Sequence, residues 1–212
     1  MIHNTRGVYS IPMAEFALSG VLQLYKQSRF FSENQAGGLW QKHRGLMELY
    51  GKTVCIVGCG SVGVECAKRF SAFGCKVIGV DVCSRTDGYF AETLCPEKLD
   101  RLLPEADVLV LSCPLTENTR HLIDRQRLAV LKPGAVLVNI ARGAVVDTQA
   151  LTPWLKDRRG AAVLDVFEEE PLPADSPLWN MENVILTPHN SFVGEGNGER
   201  LFQIITKNLS SI

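Results

Sequence analysis

The chain of 212 residues is 46% hydrophobic and 21% charged, with a formal net charge of -1. This is ordinary globular material, and its near-neutral balance supplies no basic field to draw in nucleic acid or an anionic membrane surface. No apolar run reaches the length of a membrane span, and residues 1–7 lack the basic, apolar and small-residue order of a signal peptide.

Taken in chain order, residues 12–25 place Met13, Phe16, Ala17, Val21, Leu24 and Tyr25 at helical spacing, with Pro12 suited to a first turn. One long amphipathic helix is expected, with Phe30 as its outer limit. The polar stretch 32–45, which holds Gly37, Gly38, Trp40 and His43, reads as an extended loop. From residue 53 onward, short apolar runs alternate with helix-like segments: strands at 53–57, 76–80, 108–111, 135–139, 161–166 and 183–186, and helices at 62–73 and 147–157. Residues 199–209 close the chain with Leu201, Ile204, Ile205 and Leu209 again at helical spacing. This alternation is the signature of βαβ units. The fold class that follows is α/β, a Rossmann doubly wound parallel sheet with helices on both faces, preceded by a long N-terminal helix and loop. The unbroken apolar character of the strands fits burial on both faces.

Seven cysteines (Cys55, Cys59, Cys66, Cys75, Cys83, Cys95 and Cys113) form an odd set with no C-x-x-C pair and no nearby cluster of histidines. They argue against a disulfide framework and against a metal site, and they point to a reducing, cytoplasmic compartment.

Gly58-Cys59-Gly60-Ser61-Val62-Gly63 is a G-x-G-x-x-G that follows a strand and opens a helix, the context a dinucleotide site requires. Gly58 permits the tight turn, Gly60 lets the backbone approach a pyrophosphate, and Gly63 lets helix and sheet pack closely. Ser61 and Val62 lie where the helix presents free N–H groups to the anion. Asp81 ends the second strand, where a carboxylate accepts hydrogen bonds from ribose hydroxyls and repels a 2′-phosphate, favouring NAD over NADP. Arg85 argues the other way, because a guanidinium nearby can accommodate that phosphate.

Six segments then occur in a telling order. They are Met13-Ala14-Glu15, Gly51-Lys52-Thr53, Cys113-Pro114-Leu115-Thr116-Glu117-Asn118-Thr119, Asn139-Ile140-Ala141-Arg142-Gly143, Asp165-Val166-Phe167-Glu168-Glu169-Glu170-Pro171 and Thr187-Pro188-His189. Through them the chain resembles the D-isomer-specific 2-hydroxyacid dehydrogenases over almost its whole length. The resemblance implies a catalytic trio: Arg142 to grip the substrate carboxylate and polarise its carbonyl, His189 as acid/base, and Glu170 to orient and charge the imidazole. It also implies NAD as cofactor, with Asp165 near the nicotinamide, Ala141 and Arg142 bordering it, and Cys113, Pro114 and Thr119 beneath the ribose and diphosphate. A small 2-keto or 2-hydroxy acid is the implied substrate. Glu168 and Glu169 are expected to face solvent beside Glu170, and His3, His43 and His121 match no catalytic segment.

The resemblance further implies a substrate domain built largely ahead of the long helix and closed by the C-terminal tail. On that reading residues 1–11 are its remnant, 12–190 are the NAD-binding Rossmann domain, and 191–212 are a helix returning to the substrate domain. The chain is then expected to bind cofactor while remaining catalytically incomplete. Family dimers form through the nucleotide domain, so a homodimer through the helix and loop of residues 12–40 is expected. After His189 the chain departs from the family's small, glycine-containing turn and reads Asn190-Ser191-Phe192-Val193-Gly194, which puts Asn190 or Ser191 at the substrate pocket. The rival reading is an NAD-binding regulatory or corepressor-like module without turnover.

Overall fold

The computed structural model describes residues 5–83 and 88–210, so His3 and Arg85 lie outside the described residues. Seven strands, β1 (Thr53–Val57), β2 (Lys76–Val80), β3 (Glu92–Leu94), β4 (Val108–Leu111), β5 (Ala135–Asn139), β6 (Gly160–Leu164) and β7 (Val184–Leu186), form one sheet in the order β3-β2-β1-β4-β5-β6-β7. Every neighbouring pair is parallel. The helices are α1 (Ser10–Tyr25), α2 (Ser28–Ala36), α3 (Ser61–Ala72), α4 (Leu99–Leu102), α5 (Arg125–Val130), α6 (Thr148–Lys156) and α7 (Asn197–Leu209).

Side chains alternate across a strand, so each central strand feeds two cores. Cys55, Val57, Leu109, Leu111 and Leu137 pack with Leu128 of α5 and with Leu151, Trp154 and Leu155 of α6. Val54, Ile56, Val108, Val110, Val136 and Val138 pack with Ala14, Ala17 and Val21 of α1 and with Ala67 and Phe70 of α3. Helices therefore cover both faces, which is why these strands are apolar at successive positions.

The expected long N-terminal helix is α1, which stops at Tyr25; the residues from there to the outer limit at Phe30 do not extend it but lead into the separate helix α2. Gln27 adopts a left-handed conformation with φ 53°. Continuation of α1 would require the Tyr25 carbonyl to accept from residue 29, but it accepts the N–H of Met47 at 3.0 Å, and Lys26 Nζ donates to the Met47 carbonyl at 2.8 Å. A chain segment some twenty residues downstream thus ends the helix, a contact no local pattern encodes. The stretch expected to be loop from residue 32 is helical through Ala36, supported by an Arg29 to Glu33 pair one turn apart. Strand β3 and helices α4 and α5 are too short for periodicity to reveal. Among the described residues no helix is long and apolar enough to cross a membrane.

Candidate functional site

In a parallel sheet all strands point the same way, so residues that follow their C-terminal ends share one edge. Gly58 follows β1, Asp81 follows β2, Ser112 and Cys113 follow β4, Ala141 and Arg142 follow β5, Asp165 follows β6 and His189 follows β7. Residues far apart in sequence are gathered there by topology alone.

The glycine loop is shaped by close approach. Gly58 has φ +93°, and a Cβ there would lie 2.5 Å from the Cys113 backbone nitrogen. A Cβ on Gly63 would lie 2.0 Å from the Gly58 carbonyl oxygen. Both contacts are with backbone, which cannot yield. Gly60 differs: its missing Cβ would meet only the Arg6 guanidinium, at 3.3 Å, so its face is open to a cavity rather than packed. Ser61 and Val62 begin α3, whose N-terminus carries no side-chain cap. An open glycine face beside uncapped helical N–H groups fits a diphosphate.

Asp81 braces this loop. Its Oδ2 accepts from the Cys59 N–H at 2.6 Å and its Oδ1 from the Cys83 N–H at 3.1 Å. Ser112 Oγ donates to the Gly58 carbonyl at 2.7 Å, joining the loops after β1 and β4. Beyond it, Thr119 Oγ1 donates to the Pro114 carbonyl and accepts from the Thr116 N–H, both at 2.7 Å, and so staples the loop that Cys113 begins. Burial pushes the Cys113 thiol up to about 11, which keeps it protonated and inert at neutral pH.

The loop after β5 is held by Asn139, whose amide donates to the Arg142 carbonyl and accepts from the Ala141 N–H, each at 3.1 Å. Arg142 is exposed, with one bond from Nη1 to the Ala141 carbonyl at 2.6 Å. Gly143 shows why glycine follows the arginine: a Cβ there would sit 1.8 Å from the Phe167 carbonyl carbon. The arginine loop is thereby pressed against the acidic segment after β6.

That segment carries the His–Glu pair. Glu170 Oε1 accepts from the Phe167 N–H at 3.0 Å, and Oε2 accepts from His189 Nδ1 at 2.8 Å. An ionised carboxylate only accepts, so Nδ1 carries the proton, on a side chain that is 43% exposed. Burial raises the Glu170 carboxyl, but the hydrogen bonds from His189 and the Phe167 N–H outweigh it and hold the group below its ordinary 4.5. His189 adopts φ 53°, and its N–H donates to the Asp165 carbonyl at 2.8 Å.

Asp165 is 0% exposed. Its carboxylate accepts from Thr187 Oγ1 at 2.6 Å, the Asn190 N–H at 2.8 Å and the Ser191 N–H at 2.9 Å. It therefore fastens the turn that presents His189, and Asn190 and Ser191 serve that turn through their backbones.

Two partners escaped the sequence reading. His121 Nε2 donates to Glu168 Oε1 at 2.6 Å, and Glu168 Oε2 accepts from the Thr148 N–H at 2.9 Å at the start of α6. Glu168 is thus engaged rather than simply solvent-facing, and His121 is its anchor. The proline marks Glu170, but nothing local tells Glu168 from Glu169. Arg6 and Ser10 reach the mouth of the glycine loop, a placement only the packing of α1 on α3 creates. Among the described residues no cluster of His, Cys, Asp and Glu is arranged to hold a metal ion.

Known proteins resemble this chain over nearly its whole length. Residues 18–191 match the family model described as D-isomer specific 2-hydroxyacid dehydrogenase, NAD binding domain. The chain is similar to an (S)-sulfolactate dehydrogenase of Chromohalobacter salexigens, 39% identical over 207 residues, covering 96% of this chain and 67% of the relative. Among solved structures it resembles a D-isomer specific 2-hydroxyacid dehydrogenase family protein from Aeromonas salmonicida, at TM-score 0.85 and 37% identity over 98% of this chain and 66% of that one. It also resembles the D-lactate dehydrogenase of Aquifex aeolicus complexed with NAD and lactic acid, at TM-score 0.82 and 30% identity over 96% and 66%. The chain spans about two thirds of the length of these relatives. It belongs to the D-isomer specific 2-hydroxyacid dehydrogenase family, with residues 18–191 matching that family's NAD binding domain.

Proposed function

We propose that this chain holds NAD(H) over the Gly58 to Gly63 loop and contributes Arg142, Glu170 and His189 to hydride transfer between that cofactor and a small 2-keto or 2-hydroxy acid. The observation that carries the proposal is the 2.8 Å bond from His189 Nδ1 to Glu170, on loops at the sheet edge that also bears the glycine loop. The cofactor, when bound, supplies or accepts the hydride. Arg142 offers a guanidinium to the substrate carboxylate and adjacent carbonyl. His189 Nε2 gives a proton to the carbonyl oxygen during reduction and takes it back during oxidation, while Glu170 stabilises the charged imidazole. Asp81 favours NAD over NADP through the adenosine ribose. Asp165, Cys113, Pro114, Thr119 and Ala141 shape the cofactor bed.

The test measures NADH binding by fluorescence and NADH oxidation with a panel of 2-keto acids, for wild type and His189→Ala. Binding is expected to stay within about twofold while turnover falls by about 100-fold or more, the usual worth of a general acid. Turnover that survives the substitution removes His189 from the mechanism.

A second reading has its own support. The side chains of His189 and Glu170 are 43% and 37% exposed, so water reaches the reacting position. On this reading the 212 residues bind cofactor without turnover, residues 1–11 and 191–212 belong with a substrate domain, and activity needs the wall that such a domain supplies. NADH binding with no reduction of any keto acid favours it, and robust reduction removes it.

Self-association belongs to the same proposal, in narrower form than residues 12–40. α1 buries Ala14, Ala17 and Val21 in its own core, whereas the loop after α2 leaves Trp40 97% exposed. A homodimer would therefore form through α2 and this loop. The buried thiols Cys55, Cys59 and Cys66 fit a reducing, cytoplasmic setting.

A further inference from the structure

The segment that carries Glu170 is held differently from the rest of the candidate site. Asp165 fastens the turn of His189, and Asn139 fastens the loop of Arg142. The Phe167 N–H that donates to Glu170 Oε1 belongs to the same short segment as its acceptor. That bond sets the acid relative to its own backbone and not relative to the sheet. Glu168, which stands between the two, reaches out of the segment. Its Oε2 accepts from the Thr148 N–H at 2.9 Å, on the first turn of α6, where Asp147 caps the next two N–H groups. The positive end of the helix favours a carboxylate there. Its Oε1 accepts from His121 Nε2 at 2.6 Å. The Glu168 nitrogen also rests on Gly143, where a Cβ would come within 2.3 Å of it.

His121 is itself anchored through its backbone. Its N–H donates to the Ala144 carbonyl at 2.7 Å, the Ile123 N–H donates to the Val145 carbonyl at 3.1 Å, and the Ile123 carbonyl accepts from Asp147 at 3.0 Å. Residues 121–123 are thus laced to the run that follows Arg142. The imidazole therefore joins three loops: it stands on the chain that leaves β4, its backbone binds the chain that leaves β5, and its ring binds the chain that leaves β6. An exposed ion pair contributes little to stability by itself, and these side chains are 43% and 29% exposed. The consequence of this pair lies in what it holds.

We infer that His121 and Glu168 are positioning residues for the His189–Glu170 pair. With the start of α6 they hold residues 167–170 so that Glu170 Oε2 stays against His189 Nδ1 and keeps the proton on that nitrogen. Nε2 is then the nitrogen that exchanges a proton with substrate. This rests on the hydride-transfer reading above and adds to it two residues outside the trio of Arg142, Glu170 and His189.

The test reads the His189 tautomer by long-range proton–nitrogen NMR of the full chain, at a pH where the imidazole is neutral, with signals assigned against His189→Ala. Wild type, His121→Ala, His121→Gln and Glu168→Ala are compared, and thermal unfolding is measured alongside. The backbone bond from residue 121 to Ala144 survives every one of these substitutions. Wild type is expected to hold mainly the Nδ1–H form. His121→Ala and Glu168→Ala are expected to lower the ratio of Nδ1–H to Nε2–H by about threefold or more, as neighbours in one hydrogen-bond network do. His121→Gln restores an N–H donor at the end of a side chain of similar reach and is expected to recover most of that ratio. If Glu168→Ala fails to fold, His121→Ala decides. Ratios within about 1.5-fold of wild type in the alanine variants, with or without a lower melting temperature, overturn the inference and leave the link a support of the fold alone. An equal loss in His121→Gln and His121→Ala overturns it too, because the donor is then not what matters. A wild type that holds the Nε2–H form removes the His189–Glu170 bond and the inference with it. The spectra need neither cofactor nor turnover, so failure of the hydride-transfer reading shows separately, as no reduction of keto acids by wild type.

Discussion

Asp165 shows how one residue can matter to a site that it reaches only through others. Its buried carboxylate satisfies the Thr187 hydroxyl and the N–H groups of Asn190 and Ser191, and the turn so formed holds His189 at φ 53°. Asp165→Ala strands those three donors in the interior and is expected to lower stability by about 3 kcal/mol, read from the midpoint of urea unfolding. A change under about 1 kcal/mol would mean that water replaces the carboxylate and that the turn is self-supporting. Glu168 supplies a pH signature. Burial raises it, but the bonds from Thr148 and His121 carry it below 4.5, so its folded value is depressed. A depressed carboxylate adds stability above its unfolded value, and that contribution disappears as pH falls through the folded value. Wild type and Glu168→Gln should therefore differ in melting temperature at neutral pH and converge as the pH drops below 4.5. Curves that stay parallel down to strongly acidic pH would show that the pair contributes through shape rather than charge. The position of Asp165 before an acidic run was legible in the sequence. Its triple engagement was not, because its partners lie more than twenty residues downstream.

Among the elements, α1 is the one whose role changed most. Its apolar spacing correctly implies a buried face, and the structure places that face on α3 and across β6. Gly20 is the contact point: a Cβ there would fall 2.6 Å from a methyl group of Val163, a stiff, buried β-branched side chain. Alanine favours an isolated helix over glycine by about 1 kcal/mol, yet overpacking a core typically costs about 1 to 3 kcal/mol. The overpacking should win, so Gly20→Ala is expected to lower the melting temperature. A rise would show that α1 can lift off β6 without loss. The break at Gln27 has the opposite lesson. Residues 28–36 are helix-compatible and follow α1 directly, but the Tyr25 carbonyl is claimed by Met47. Local periodicity reports which residues can be helical, and a distant hydrogen bond chooses where one helix stops.

For the whole molecule, the sheet edge that collects the candidate site and the surfaces left bare are the two facts with consequences. The loop after α2 exposes Leu39 and Trp40, and α7 buries none of its residues while exposing Phe202, Ile205 and Leu209. Apolar area of this kind favours association. Light scattering is expected to find a dimer at micromolar concentration and to find Trp40→Glu shifted to monomer. A wild-type chain that is strictly monomeric there would remove the α2 surface from consideration. Six of the seven strands, the glycine loop and the order of the motif segments could be read directly from the sequence, because each is encoded by neighbours within a few residues: unbroken apolar runs, a turn that tolerates no Cβ, a proline after an acid. The tertiary structure alone decided that Glu168 holds His121, that Asp165 fastens the turn carrying His189, and that Arg6 and Ser10 stand over Gly60. Those relations join residues that share no local pattern, and only the packing of parallel strands and of α1 on α3 brings them within reach of one another.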